Sequence, residues 1–150
     1  MTTLYKHLLS KGYCRERLTL INTNHFLVKA SINKISGVFI LDTGASATCV
    51  DLEQTRHFEL QSEPSSEKAS SASTTEMHTE IATQNHLQIS KWSSKNKSIV
   101  LFDMQAVNEA LTLQDNDPVH GIIGADVLKS GQAIIDYKNH WLYMKTKTAS

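Results

Sequence analysis

The feature that most constrains this fold is an unbroken apolar run at residues 38–41, followed directly by Asp42, Thr43 and Gly44. Four apolar residues without polar alternation predict a strand that is covered on both faces, and such a strand lies at the centre of its domain. Gly44 lets the backbone turn and approach its neighbours closely. Because an ionisable carboxylate beside apolar side chains is costly to bury, the pattern predicts a functional Asp42 at the end of a central strand.

The sequence around this strand has the two-residue period of half-buried strands. Phe26, Val28, Ala30 and Ile32 alternate with Leu27, Lys29 and Ser31, and residues 15–21 predict a further strand. Other predicted strands lie at residues 86–89, 98–102, 133–137 and 141–144, with turns at 33–37 and 138–139, and a polar connection at 92–97. Short helices are predicted at residues 3–11, ended by Gly12, and at residues 125–129, capped by Gly131. This pattern predicts an all-β barrel or sandwich with little helix.

Composition excludes several classes of protein. The 150 residues suit one domain, and 15 basic residues balance 15 acidic ones, unlike the basic field of a nucleic-acid binder. No apolar run is long enough to cross a membrane, and residues 1–13 lack the apolar core of a signal peptide. A cytoplasmic location is therefore the default expectation. Cys14 and Cys49 fit no disulfide or zinc pattern, so we expect two reduced, partly buried thiols.

The stretch at residues 62–79 is crowded with Ser and Thr and has almost no large apolar side chain. Its composition alone is compatible with a disordered linker. However, too few residues lie on either side of it to form two separate cores. A long polar segment inside one compact domain is more often a lid or a binding loop, and both alternatives stay open here.

Residues 40–46, Ile-Leu-Asp-Thr-Gly-Ala-Ser, resemble the active-site loop of the aspartic proteases, and of the retropepsin-like branch in particular. In that family a hydrophobic-hydrophobic-Gly segment packs beneath the loop, and Ile122, Ile123 and Gly124 resemble it. The residues that follow, 125–128, resemble the family's short helix, and residues 133–142 resemble its closing strands. The resemblance implies a single-domain, all-β retropepsin-like barrel at residues 14–150; residues 1–13, with the predicted helix, form an extension before it that departs from the family pattern.

The same resemblance implies an aspartic endopeptidase that needs no cofactor or metal. Asp42, Thr43 and Gly44 would be its catalytic residues, acting on a peptide or protein substrate. Peptide hydrolysis of this kind needs one ionised and one protonated carboxyl group. Because Asp-Thr-Gly occurs once in the sequence, the second carboxyl should come from Asp42 of another copy, in a homodimer with two-fold symmetry. Neither nucleic acid nor membrane is an expected partner.

Two further expectations concern substrate binding and proton affinity. The resemblance places the substrate-binding flap in the polar stretch, without the glycines that family flaps usually carry at the tip. Its tip would comprise Ser70, Ser71, Ala72, Ser73, Thr74 and Thr75. Ala45 stands where some bilobal relatives have a Ser that hydrogen-bonds the catalytic carboxylate. The Asp42 pair should therefore keep its shared proton to a higher pH than a pair with that Ser.

Two alternatives stay open at this stage. The first is an inactive peptide-binding or dimerisation module with the same fold, which the glycine-free flap favours and the intact Asp-Thr-Gly opposes. The second is a different fold in which Ser46 or Cys49 acts as a nucleophile, although no His lies in a recognisable partner motif. Asp126 and Asp136 are expected to make structural hydrogen bonds or ion pairs.

Overall fold

The computed structural model describes residues 2–64 and 78–146, which form ten strands and three α-helices. The strands are β1 Tyr13–Leu20, β2 Phe26–Ile32, β3 Ile35–Leu41, β4 Cys49–Asp51, β5 Ser62–Pro64, β6 Thr79–Ile89, β7 Trp92–Phe102, β8 Gly121–Ile123, β9 Ile134–Asp136 and β10 Trp141–Lys145. The helices are α1 Leu4–Ser10, α2 Gln105–Leu113 and α3 Ala125–Ser130, with a 3-10 helix at Leu52–Gln54. The strand order is β5-β6-β7-β4-β8-β3-β2-β1-β10-β9. An additional β2–β6 pairing curls the sheet into a barrel, so the all-β prediction is confirmed.

Strand β3 lies at the centre of the domain, between two neighbouring strands and two apolar clusters. β3 pairs with β2 on one side in antiparallel fashion and with β8 on the other in parallel fashion. Its neighbour β2 buries every second side chain: Phe26, Val28, Ala30 and Ile32 are at most 5% exposed. On β3 itself, Phe39 and Ile40 point to opposite faces, and both are buried. The apolar run therefore fills two cores at once, as its lack of alternation predicted.

The predicted bounds of two connections, at residues 33–37 and 92–97, are wrong. The turn between β2 and β3 contains only Asn33 and Lys34, which have φ angles of 52° and 70°. A two-residue hairpin turn with both φ angles positive leaves residues 35–37 free to pair within β3. The predicted polar connection at residues 92–97 is the first half of β7, and the turn before it is Ser90-Lys91. Half of these residues are exposed in the β6–β7 hairpin and only Trp92 is buried, so no apolar alternation marks them as a strand.

Helix α2 was not predicted. It packs onto a second apolar cluster formed by Ile40, Met104, Leu111 and Val119. The side chain of Asn108 fixes the helix to the segment before β8, because its amide donates to the Val119 carbonyl and its oxygen accepts from the Val119 N–H. Val107 and Leu111, four residues apart, were the sequence signal for this helix.

The predicted N-terminal helix is confirmed within one residue at each end. Thr3 caps it by accepting a hydrogen bond from the Lys6 N–H, and Leu8 is buried. The guanidinium of Arg15 on β1 lies between the rings of Tyr5 and Trp141, at 3.5 and 3.7 Å from their centroids. This stacking fastens α1 to the sheet. Among the helices of the described ranges, none has the length and apolar character needed to span a membrane.

Candidate active site

Asp42 lies directly after β3, at the edge where the parallel β3–β8 pair ends. The pairing aligns Leu41 with Ile123, and the Asp42 N–H then donates to the Ile123 carbonyl at 3.0 Å. Asp42, Thr43 and Gly44 are all exposed in the single chain. The central strand therefore fixes the position of the Asp42 carboxylate on an exposed surface, where a group of another molecule can contact it.

The active-site loop, residues 42–48, folds around the Asp42 carboxylate. The Gly44 N–H donates to Asp42 Oδ1 at 2.9 Å, and the Ala45 N–H donates to the Asp42 carbonyl at 3.2 Å. A Cβ atom at position 44 would lie 3.3 Å from the same Oδ1. Glycine keeps this space free, and the backbone amide orients one oxygen of the carboxylate.

The structure brings Ile123 and Gly124 directly against this loop. The Gly124 N–H donates to Thr48 Oγ1 at 3.0 Å, and the Ala125 N–H donates to the Ala45 carbonyl at 2.7 Å. Ile123 is fully buried, whereas Ile122 is half-buried and pairs with Ile40 of β3 and Cys49 of β4. The roles assigned to these residues in catalysis stay predictions.

Replacing Gly124 by Ala should destabilise the domain, because its Cβ would lie 2.7 and 2.8 Å from the carbonyl oxygens of Ala45 and Ala47. Those oxygens belong to the active-site loop and can move only if the loop moves. We expect the free energy of unfolding in urea to fall by about 1–3 kcal/mol. Gly131→Ala is the comparison variant and should lose less stability, since its Cβ would meet side-chain atoms of Met144 and Trp92 and not backbone carbonyl oxygens. Equal losses in the two variants would contradict a specific steric role for Gly124.

A half-buried polar network, which we call the Lys97–Asp126–Thr48 network, lies beneath the loop. Thr48 is fully buried, and its hydroxyl donates to Asp126 Oδ1 at 2.8 Å while accepting the Gly124 N–H. Lys97 Nζ lies 2.6 Å from Asp126 Oδ2. The predicted structural role of Asp126 is thus confirmed. Asp136 also has a structural bond, because its Oδ1 accepts the Asn139 N–H at 3.0 Å.

Cys49, the first residue of β4, is close to both aspartates of this region. Its burial, followed by the negative charges of Asp126 and Asp42, raises the pKa of the Cys49 thiol to about 11. The thiol donates to the Ala47 carbonyl at 3.2 Å. A neutral, half-buried thiol is a poor nucleophile at physiological pH, so the geometry argues against Cys49 as a catalytic residue. Cys14 and Cys49 are both free and partly buried, as expected.

One cavity of the domain is separate from Asp42, and the predicted flap tip lies outside the described residues. A cavity of about 740 Å3 lies between the 3-10 helix and α2; its lining includes Asp51 and His120 and does not include Asp42. In residues 2–64 and 78–146, no three His, Cys, Asp or Glu side chains are grouped as metal ligands. The predicted flap tip, Ser70 to Thr75, lies outside the described residues. The strands on either side of it, β5 and β6, pair with each other, Pro64 opposite Glu80.

Sequence reasoning missed two residues of the site region. Thr48 was not singled out, although it is a buried polar residue that ends the active-site loop. Lys97 was placed in a polar connection, yet its side chain points to Asp126. The only local signal for Lys97 was its two-residue spacing from Ile99, which lies on the buried face of β7.

The strand end with its Asp-Thr-Gly loop, supported by a Gly124 segment, defines an aspartic-protease type of site. An aspartyl protease family model matches residues 28–127, and the chain belongs to that family. A sequence search of curated proteins gave no match.

Solved structures show that the fold is retropepsin-like. A retropepsin-like aspartic protease from Rickettsia conorii is similar, with a TM-score of 0.61 and 16% identity over 90% of this chain and 91% of that one. The EIAV protease in complex with the inhibitor HBY-793 has a TM-score of 0.56 and 14% identity over 79% of this chain and 98% of its own. The retroviral protease-like domain of Ddi1 from Leishmania major has a TM-score of 0.55 and 15% identity, covering 79% and 86% of the two chains. At these identities the likeness establishes the fold.

Proposed function

We propose that this protein is an aspartic endopeptidase whose active unit is a homodimer, with Asp42 of each copy in one shared site. The observation that carries the proposal is the exposed Asp42 carboxylate, oriented by the Gly44 N–H at the end of a buried central strand. The family membership of the chain supports the chemistry. In this proposal residues 14–150 form the protease domain, and residues 1–13 are an extension that packs on it through α1.

The proposed reaction uses the two carboxyl groups in different protonation states. Two carboxylates in contact cannot both ionise cheaply, so the pair holds one proton between them and titrates as a unit. The ionised Asp42 takes a proton from water as the water oxygen bonds to the peptide carbonyl carbon. The protonated Asp42 donates its proton to the carbonyl oxygen. Collapse of this intermediate breaks the C–N bond: the carboxyl pair gives a proton to the departing amine and takes one from a hydroxyl of the intermediate, which restores the shared proton and leaves the carboxylic acid product.

Two-fold symmetry explains why one motif per chain is sufficient. Asp42 and Thr43 both lie on the open surface, so a two-fold axis passing beside them brings the same residues of a second copy opposite. The Thr43 hydroxyl has no hydrogen-bond partner within residues 2–64 and 78–146, and it can donate to backbone of the facing loop. A single folded chain therefore supplies half of the site.

The alternative function is an inactive peptide-binding or dimerisation module of the same fold. The observation that favours it is the lack of glycine in the predicted flap tip. Incubation of the purified protein with an unfolded protein substrate across acid and neutral pH separates the two functions. Cleavage that a pepstatin-type inhibitor abolishes supports the peptidase. Saturable binding of the substrate without any new fragments supports the module.

Introducing a hydroxyl at position 45 should shift the pH dependence of cleavage. A Ser hydroxyl that donates to the Asp42 carboxylate favours its charged form, so the pKa values of the pair should fall. Both limbs of the pH–activity curve for Ala45→Ser should therefore move to lower pH, by up to about one unit for one added hydrogen bond. Ala45→Gly, which adds no hydroxyl, is the control. A shift toward higher pH, or an equal shift in the control, would contradict the argument.

A further inference from the structure

Lys97 occupies a position where a lysine needs a partner. On β7 it shares a face with Ile99 and Leu101, both of which are fully buried. Its own side chain is only 20% exposed. Charged side chains that point into a domain are rarely left unpaired, because removing an ammonium group from water is costly.

The partner of Lys97 joins three elements of the domain. Asp126, in the first turn of α3, receives Lys97 on Oδ2 at 2.6 Å. Its other oxygen, Oδ1, accepts the Thr48 hydroxyl and the Val127 N–H, both at 2.8 Å. Because Thr48 also accepts the Gly124 N–H, a continuous chain of hydrogen bonds leads from β7 through α3 to the end of the active-site loop.

We propose that Lys97 and Asp126 are positioning residues for the active site, which hold the loop carrying Asp42 in place while the solution is acidified. This inference rests on the proposed function, because the loop matters to catalysis only if Asp42 is a catalytic residue. Neither residue touches the Asp42 carboxylate through a bond that the structure shows. They act through Thr48, whose backbone carbonyl also accepts the Val100 N–H of β7.

The charges around Asp126 explain why this support resists acid. Lys97 of β7 and the Cys49 thiol of β4 face Asp126, and the negative charge of Asp42 also raises the pKa of that thiol. Burial opposes the negative charge of Asp126, but hydrogen bonds from Lys97 and Thr48 and the Lys97 charge outweigh it, so the pKa of Asp126 is lowered. A lowered pKa means that the stabilisation is present above the unfolded-state pKa and is lost only as pH falls through the lower folded-state value. The network therefore persists into the acid range in which a carboxyl pair retains its shared proton.

Two variants separate the charge of the network from its shape. In Lys97→Met the carboxylate of Asp126 loses its cation while its burial remains, so its pKa should rise and the network should weaken progressively on acidification. In Asp126→Asn the side-chain oxygen can still accept the Thr48 hydroxyl, but residue 126 no longer titrates. Any loss of activity should therefore be the same at every pH. Lys95→Met is the control, because Lys95 is an exposed lysine of the same strand.

The test compares kcat and KM of these variants between about pH 6 and about pH 4, a range that approaches the ordinary aspartate pKa. For Lys97→Met we expect kcat to fall about threefold at the higher pH and about tenfold at the lower, with KM changed less than about twofold. Asp126→Asn should show a loss that does not vary with pH, and Lys95→Met should match the parent. Thr48→Ser should retain activity that Thr48→Val loses, since only Ser keeps the hydroxyl. A Lys97→Met profile equal to that of Lys95→Met would overturn the proposal.

Hydrogen exchange provides a readout that does not need activity. The Gly124 amide is the donor at the end of the network, so its protection at about pH 4 should fall about tenfold in Lys97→Met and stay unchanged in Lys95→Met. Unchanged protection in Lys97→Met would overturn the positioning role even if the enzyme is active. If the parental protein cleaves no substrate, the proposed function fails, and the exchange result still decides whether the network holds the loop.

Discussion

Asp42→Asn is expected to abolish peptide cleavage, with a loss of at least about a thousandfold, while the protein folds as before. Asparagine has nearly the same shape, and its side-chain oxygen can still accept the Gly44 N–H that orients Asp42 Oδ1. It cannot be ionised, so it cannot take a proton from the attacking water. The measurement is the rate of cleavage of an unfolded protein substrate, with circular dichroism and urea unfolding to show that the fold is retained.

Asp117→Asn is the matched control for this experiment. Asp117 is an exposed aspartate in the loop between α2 and β8, and its substitution also removes one negative charge from the chain. It should leave cleavage unchanged. Residual activity of Asp42→Asn within tenfold of the parent would show that the carboxylate is not the catalytic group. The intact fold would then favour the peptide-binding module.

The strands with a regular apolar period could be predicted from the sequence. β2 has the predicted bounds, Phe26–Ile32, because every second side chain on one face fills the core while Leu27, Lys29 and Ser31 on the other face stay at least partly exposed. The central position of β3 also followed from its pattern, since residues 38–41 leave no face for water. The contact of this strand end with Gly124 came from the resemblance to a family. A local pattern carries no information about a parallel pairing between residues so far apart in the chain.

The remaining features depend on tertiary contacts that local patterns do not report. The first half of β7 is polar because it lies in an exposed hairpin, so it resembled a connection. Five of the nine residues of α2 are apolar, but only a narrow face centred on Val107 and Leu111 packs on the second cluster, and Leu113 is exposed. Lys97 resembled a solvated lysine, and its ion pair depends on Asp126, which only the fold brings within reach.

Mixing the parental chain with the folded Asp42→Asn chain should reduce activity if the site is shared between two copies. Each heterodimer would contain one Asp and one Asn, which cannot share a proton between two carboxyl groups, and should therefore be inactive. With equal amounts and free exchange, random pairing of a closed two-fold dimer leaves about a quarter of all dimers fully parental. About half of the activity that the parental chains show when paired only with each other should then remain.

The control for this mixing experiment is the Asp117→Asn chain, which supplies an intact Asp42 and should not lower the activity. Dilution offers an independent measurement, because the concentration of an active dimer depends on the square of the free monomer concentration. Specific activity should fall as the protein is diluted through the dimer dissociation constant, and the sensitivity to added Asp42→Asn chain should appear at concentrations where subunits exchange. An undiminished rate in the presence of excess Asp42→Asn chain, under conditions where exchange is demonstrated, would mean that one chain holds the complete site. The second proton-carrying group would then have to come from within the same chain.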